Sequence, residues 1–503
     1  MSTFKIQFRR GTTAQHETFT GAQGEITYDT ERKTLVLHDG TTVGGHPVAL
    51  MSELPIDLSQ LTDDGAVLPV QVAGDMPNAT NFTTALSQTP ATSDSFRQVS
   101  ISGNKQTFVV HMPTDDTVAT NAGALYIYNN EGDGTWSFVE KIVVTSQTPG
   151  ANGGYNGSNF GSGVAISYDG SRIATSGPDH GVNGANQNCG GAVWVLERQE
   201  NGTYNELTRI DRPINDDTNL GENIDMSPDG QYISVSGKDK NSPYNAAITV
   251  YKFNSSTQTY DKMTNTSTTA GSSVSINLGG AGDYGSTDRF TSAINDDGTY
   301  VVFGNPEDNS WGNAYGFAAV GKYEGSNWSI QSELRPSALN PPFVDDYGVS
   351  VDINSDGSVI AVGANRAYEP TNSLGVGAVY IWRRNGETWT EEAKIYTPDG
   401  IAKNEPRFFG HTVRLLPDGN TMFALATYTF ANATNTAKVY VYTHDSGSWN
   451  LAETIDTGYT GAFHARDEVM DVSNDGSLVI VSAMLDSSKV LFFETANGPY
   501  YTA

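Results

Sequence analysis

One cysteine in 503 residues, Cys189, excludes an intrachain disulfide, so stability has to come from packing. Basic side chains are also scarce: 29 Lys and Arg stand against 57 Asp and Glu, a formal net charge of -28. That balance repels phosphate backbones and anionic lipid, so neither a nucleic-acid partner nor membrane insertion is expected. The eight histidines are scattered, with no His-x-x-x-His or Cys/His cluster to chelate zinc. No apolar run reaches membrane-spanning length, and MSTFKIQFRR lacks the apolar stretch of a signal peptide. The expectation is a chain made in a cytoplasm that leaves it, if at all, without a signal peptide. Nucleophile elbows, phosphate loops and metalloprotease motifs are missing too, and no enzymatic activity and no cofactor are expected.

What is present is a repeat. FGSGVAISYDGSRIATSG from Phe160 returns as LGENIDMSPDGQYISVSG from Leu220, YGVSVDINSDGSVIAVGA from Tyr347 and FGHTVRLLPDGNTMFALA from Phe409. Shorter matches begin at Ala293 and Asp471, and a degenerate first copy, VSISGNKQTFVV from Val99, places Gly103-Asn104 at the corner. The turn aspartates Asp169, Asp229, Asp297, Asp356, Asp418 and Asp475 are spaced by 60, 68, 59, 62 and 57 residues. Each copy continues with an apolar segment of the GAVYIW kind (377 to 382) and then with an aromatic-led one. In the latter an apolar residue follows six positions on, as Trp136 with Ile142, Tyr204 with Ile210, Trp328 with Leu334, Trp389 with Ile395 and Trp449 with Ile455. An even spacing predicts that the two share one face of a strand. Four strands per unit and seven units of about sixty residues predict an all-β fold, a seven-bladed β-propeller over 81–503. The seventh copy runs out at PYYTA, so NFTTALSQTP (81 to 90), where Phe82, Thr84 and Leu86 alternate, is expected to complete or reinforce the seventh blade.

The first fifty residues differ in charge. Five basic side chains balance five acidic ones there, so all the net charge lies beyond them. EITYDT and TLVLHDG read as two alternating strands, with Asp39-Gly40 as the turn that follows. This predicts a small N-terminal β-module over 1–50 and a neck over 51–80 that self-associates.

Asp352, Asn354 and Asp356 before Gly357 have the alternate-residue spacing of a calcium loop. The sister copies argue against it. The position where a closing carboxylate belongs holds Ile173, Ile233, Val301, Ile360, Met422 and Val479, none of which can ligate a hard cation. No metal is expected; the trio at 352 to 356 is the weak candidate. Binding chemistry is richer in the connections between second and third strands, where Tyr244, Trp311, Tyr315, Arg366, Tyr368, Tyr428 and Phe430 stand among Asn, Ser and Asp. Aromatic faces and paired amide hydrogen bonds suit a glycan or a protein receptor.

Two resemblances sit on these residues. Phe160-Gly161, Tyr347-Gly348 and Phe409-Gly410, with Leu220-Gly221 as a variant, together with the GAVYIW-type segments, resemble the FG-GAP propeller family of integrin α-subunits and bacterial surface proteins. The N-terminus resembles the small first module of bacteriophage tail-fibre proteins of the major tropism determinant family. It does so through Arg10-Gly11-Thr12, Gly24-Glu25-Ile26, Asp29, Leu35, Asp39-Gly40-Thr41 and Pro47. The second resemblance implies a virion protein, assembled in the host cytoplasm and located in the tail. Its N-terminal module would attach to other virion proteins or trimerise the fibre, and its distal domain would recognise the host surface. Alternatives are a tail-associated polysaccharide depolymerase and a virion decoration or spacer protein that meets no receptor.

Overall fold

The computed structural model describes residues 9–11, 26–29, 34–37, 41, 46–47, 82–84, 97–112, 115, 117, 122–132, 135–143, 160–178, 191–211, 218–239, 245–263, 274–275, 290–306, 316–325, 328–337, 345–369, 374–398, 407–427, 436–459, 469–483 and 489–501. These hold strands and turns and no helix. Two compact units divide the chain, Met1–Pro77 and Asn78–Ala503.

In the first unit a four-stranded sheet forms. Arg9–Gly11 pairs in parallel with Ile26–Asp29, which forms an antiparallel hairpin with Thr34–Leu37, and His46–Pro47 adds the fourth strand. The two alternating segments read from the sequence are the central hairpin, in register Ile26 with Leu37 and Asp29 with Thr34. Asp39-Gly40 and the neck at 51–80 lie outside the described residues.

The second unit is a seven-bladed β-propeller. Blades 1, 2, 4, 5 and 6 are antiparallel sheets whose strands follow chain order from the axis outward. Blade 5, for example, runs Tyr347–Ile353, Val359–Ala364, Ala378–Asn385 and Thr388–Tyr396. Blade 3 has a fifth strand, Val274–Ser275, on its third. Blade 7 takes Met470–Val472, Leu478–Ala483 and Lys489–Glu494 from the C-terminal end and Phe82–Thr84 from the other end of the unit. Thr84 opposes Val490 and Phe82 opposes Phe492, so the ring is closed by hydrogen bonds between the two ends.

The repeated Asp-Gly phrase is the corner between the first and second strands. In blade 2, Ser167 Oγ donates to Asp169 Oδ1 at 2.9 Å, and that oxygen also accepts from the Ser171 amide at 2.8 Å. The aspartate thus makes the turn's local hydrogen bonds. In blade 1 Gly103 and Asn104 are the central residues of the corner, which the Lys105 amide closes on the Ser102 carbonyl at 2.9 Å. Asn104 takes the aspartate's place, accepting from the Gln106 amide at 3.0 Å, and Lys105 adopts the left-handed backbone, φ 62°. Gly103 is small for another reason: a Cβ there would lie 2.3 Å from the Tyr168 ring of blade 2.

The pairing of aromatic and apolar residues along the outer strand needs correction. In blades 1, 2, 4, 5 and 6 the third and fourth strands shift register at a β-bulge, as between Val195 and Leu196. One extra residue in the outer strand reverses the alternation. Trp389 therefore packs with Tyr300 and Trp382 in the core between blades 4 and 5, whereas Ile395 packs between blades 5 and 6. Tyr204 and Ile210, Trp328 and Leu334, Trp449 and Ile455, and Trp136 and Ile142 separate in the same way. Each blade consequently offers a hydrophobic face to both neighbours, and the described core falls into seven clusters, one per seam.

Candidate functional site

The first strand of every blade lines the axis, and one residue of each points inward at the same level. In order round the ring these are Ser100, Ala165, Asp225, Ala293, Asp352, Arg414 and Asp471, which surround a cavity of about 160 Å³. Its carboxylates reach forward to the next blade. Asp225 Oδ2 accepts from the Ile294 amide at 2.8 Å, Asp352 Oδ2 from the Leu415 amide at 2.6 Å, and Asp471 Oδ2 from the Ile101 amide at 2.9 Å. Arg414 Nε donates to Asp471 Oδ1 at 3.0 Å. Burial raises the Asp225 carboxyl to about 7, and the charge of Asp352 adds to the rise against the opposing pull of Arg414. Sequence reasoning misses this axial set. Its signal is nonetheless there, because the position of the first calcium ligand varies among Ala, Asp, Arg and Ser between neighbours that are apolar in every copy but blade 4, where Ser292 precedes Ala293.

The calcium trio does not converge. Asp352 belongs to the axis. Asn354 and Asp356 bond within the turn: Asn354 Nδ2 donates to Asp356 Oδ1 at 3.0 Å, and Asn354 Oδ1 accepts from the Val359 amide at 2.8 Å. Ile360, at the closing position, is fully buried, as are its counterparts Ile173, Ile233, Val301, Met422 and Val479. Among the described residues no group of three or more His, Cys, Asp and Glu is placed to hold a metal ion.

Of the loop residues with recognition chemistry, Tyr244, Trp311, Tyr315, Tyr428 and Phe430 lie outside the described residues. Arg366 and Tyr368 are described, both in blade 5. Tyr368–Glu369 pairs with Leu374–Gly375 in a small hairpin beyond the second strand. Arg366 is exposed, its Nε 3.2 Å from Asp346 Oδ2, and its amide donates to the Asp345 carbonyl at 3.2 Å. Asp345 is buried, and its carboxyl is raised to about 6 by that burial, against the pull of Lys394 and the Tyr368 amide. Lys394 lies over two rings, 4.8 Å from the centre of Tyr380 and 4.9 Å from that of Tyr396. Burial lowers its pKa, while Asp345 and Glu391 oppose that shift. The structure thus gathers Arg366 and Tyr368 with two acids and a lysine that sequence spacing does not connect to them.

In the N-terminal unit, Arg10 and Gly11 lie on the first strand, opposite Tyr28 and Asp29. Thr12, Gly24, Glu25, Asp39 and Gly40 lie outside the described residues.

Comparison with known proteins separates the two units. The propeller is similar in fold to the WD40 repeats of RRP9, with a TM-score of 0.46 and 9% identity over 83% of this chain and 100% of that one. It is also similar to the periplasmic gluconolactonase PpgL of Pseudomonas aeruginosa, with a TM-score of 0.42 and 13% identity over 72% and 85% of the two chains. At these values neither likeness bears on function. A tail fiber receptor-binding protein of Bordetella phage BPP-1 is 66% identical over 44 residues, which is 9% of this chain and 12% of that protein. The chain therefore spans about an eighth of that relative's length. Residues 6–42 match the major tropism determinant N-terminal domain.

Proposed function

We propose that this chain is a phage tail-fibre protein that attaches to the virion through its N-terminal module and meets the host surface through its propeller. The 66% identity of the N-terminal segment to a tail fiber receptor-binding protein carries this reading. The module serves attachment and trimerisation, and the partners are other tail proteins on one side and a host glycan or protein receptor on the other. Three copies on one fibre turn weak contacts into avid ones. The loops beyond the second strands, with Arg366 and Tyr368 among them, are the recognition surface. The FG-GAP likeness of the repeats belongs to the same reading, since adhesion is what such propellers do elsewhere.

The test is adsorption competition. Purified chain in large excess is expected to slow adsorption of virions carrying it at least tenfold. Unchanged adsorption overturns receptor binding. Release of reducing ends from host envelope polysaccharide by the same preparation would instead favour a depolymerase. Light scattering that returns a single-chain mass would remove the trimer.

A further inference from the structure

The axial cavity holds charge that its walls do not balance: three carboxylates face one guanidinium. Asp471 is fully engaged, its Oδ1 accepting from Arg414 Nε and its Oδ2 from Ser100 Oγ at 3.0 Å and the Ile101 amide at 2.9 Å. Asp352 accepts from the Ile353 amide at 2.9 Å through Oδ1 and from the Leu415 amide through Oδ2. Asp225 has less. The Ile294 amide donates to its Oδ2, the adjoining Met226 amide is its one other donor, and no described cation is in ion-pair contact with it.

Asp225 lies deep enough to be strongly desolvated, yet it keeps an accessible face, and that face belongs to the cavity wall. The blades on either side of it present only methyl groups there, Ala165 and Ala293, so the space before it stays open. A cavity of about 160 Å³ exceeds what one or two bridging waters fill, since a water takes roughly 30 Å³ in the liquid. It reaches the corners between first and second strands, where Gly103, Tyr168, Pro228 and Asn474 form its lip. Tyr168 is 45% exposed, one of three large apolar side chains left so among the described residues. An exposed aromatic ring at the mouth of an anionic hollow suits an organic cation.

We propose that the axial cavity binds a primary alkylammonium group, its charge held between Asp225 and Asp352 and its alkyl stem leaving past Tyr168. An ammonium brings three donors to a wall rich in acceptors. A guanidinium fits less well, because Oδ2 of both Asp225 and Asp352 is already bonded to the next blade and neither carboxylate offers two oxygens to a planar fork. A metal ion also fits less well, because among the described residues no three acids converge on one point. The mouth lies at the corner end of the blades, and each second strand runs from there to the loops at the opposite end. The site is therefore separate from the host-contact surface and does not rest on it.

Calorimetric titration of the full chain tests this, with Nα-acetyl-lysine N-methylamide and cadaverine as probes and the norleucine analogue as the uncharged control. At pH 8 at least one amine is expected to bind saturably and the control not to bind; the tighter amine tells a protein lysine from a free diamine. Affinity is expected to fall roughly fivefold or more in Asp225→Asn, which keeps an oxygen for the Ile294 amide, and roughly twofold or more in Tyr168→Ala. Both amines stay protonated from pH 5 to pH 8. Asp225, whose carboxyl burial raises to about 7, goes from mostly neutral to mostly ionised over that range. The charged groups facing it are Asp352, Arg414 and Asp471, while blades 1, 2 and 4 present Ser100, Ala165 and Ala293. Affinity should thus rise with pH in the parent and rise less in Asp225→Asn. Melting temperatures establish that each variant is folded; should one fail to fold, the other decides. The proposal is overturned if neither amine binds, if the folded variants bind as the parent does, which would mark diffuse attraction to an acidic chain, or if calcium ion binds more tightly than either amine.

Discussion

Asp225 shows how one position in a repeat takes on a role set by the ring. On its own strand it faces away from the turn, toward the axis, where its carboxylate accepts from an amide of the next blade. Its carboxyl is raised to about 7 by burial, with the charge of Asp352 adding to the rise. For an acid whose folded pKa lies above its unfolded value, the contribution to stability is full at low pH and is lost as pH rises through the folded value. Asp225→Asn removes that loss and keeps an oxygen to accept from Ile294. Thermal melts should show the variant more stable than the parent at pH 8, by about 1–2 kcal/mol, and indistinguishable or slightly weaker at pH 5. Equal stability at pH 8 would mean that the carboxyl is ionised without penalty.

Two other positions are legible in the amino-acid sequence alone. The apolar residue four past each turn aspartate cannot ligate a cation and so belongs to the core, and it is buried in all six copies. The glycines of the FG and GAVYIW phrases repeat because they meet across a seam. Gly377, φ 88°, has no room for a side chain, since a Cβ would lie 2.2 Å from the Phe409 carbonyl, and it bridges that residue directly. The two halves of the sequence motif are the two sides of one joint between blades.

At the scale of the element, strand number and order follow from periodicity, but the facing of the outer strand does not. An even spacing predicts one face, and the bulge inserts one residue that overrides it. Nothing in the local sequence marks that insertion as plainly as Asp-Gly marks a turn. Closure of blade 7 is readable because a blade with a missing strand and a strand with no blade stand at opposite ends of the repeat. Three opposed pairs, Thr84 with Val490, Thr83 with Leu491 and Phe82 with Phe492, make the junction. A chain starting at residue 97 should be less stable than one starting at residue 78 by about 1–3 kcal/mol, the worth of a few cross-strand pairs. It should also self-associate through the bared Lys489–Glu494 edge. Coincident urea melts and equal monodispersity would show that the segment at 82–84 adds nothing to the ring.

For the whole molecule, closure links residues nearly four hundred apart. Ser482 Oγ donates to the Arg97 carbonyl, and Lys105 Nζ lies 2.7 Å from Asp475 Oδ2, joining the corner of the first blade to that of the last. Burial raises the Asp475 carboxyl, but Lys105 and the hydrogen bonds of Ser473 and Ser477 outweigh it and hold the group at about 2. That junction persists well into the acid range and is lost only as pH falls toward that value. The small N-terminal unit has a sheet of its own. Calorimetry of the full chain should therefore resolve two transitions, with the smaller absent from a chain starting at residue 78. A single transition common to both chains would show that the N-terminal sheet has no separate cooperative core.

By itself the sequence determined the all-β class, the seven repeats, the turn chemistry and the likeness of the N-terminal segment to the major tropism determinant N-terminal domain. Each of these is written in local periodicity or in contiguous motifs. Tertiary structure alone decided that aspartates from blades 3, 5 and 7 and an arginine from blade 6 share one axial cavity, and which face each outer strand buries. These depend on the angle at which blades stack and on a one-residue bulge in the outer hairpin. Neither leaves a signature within the few residues it moves.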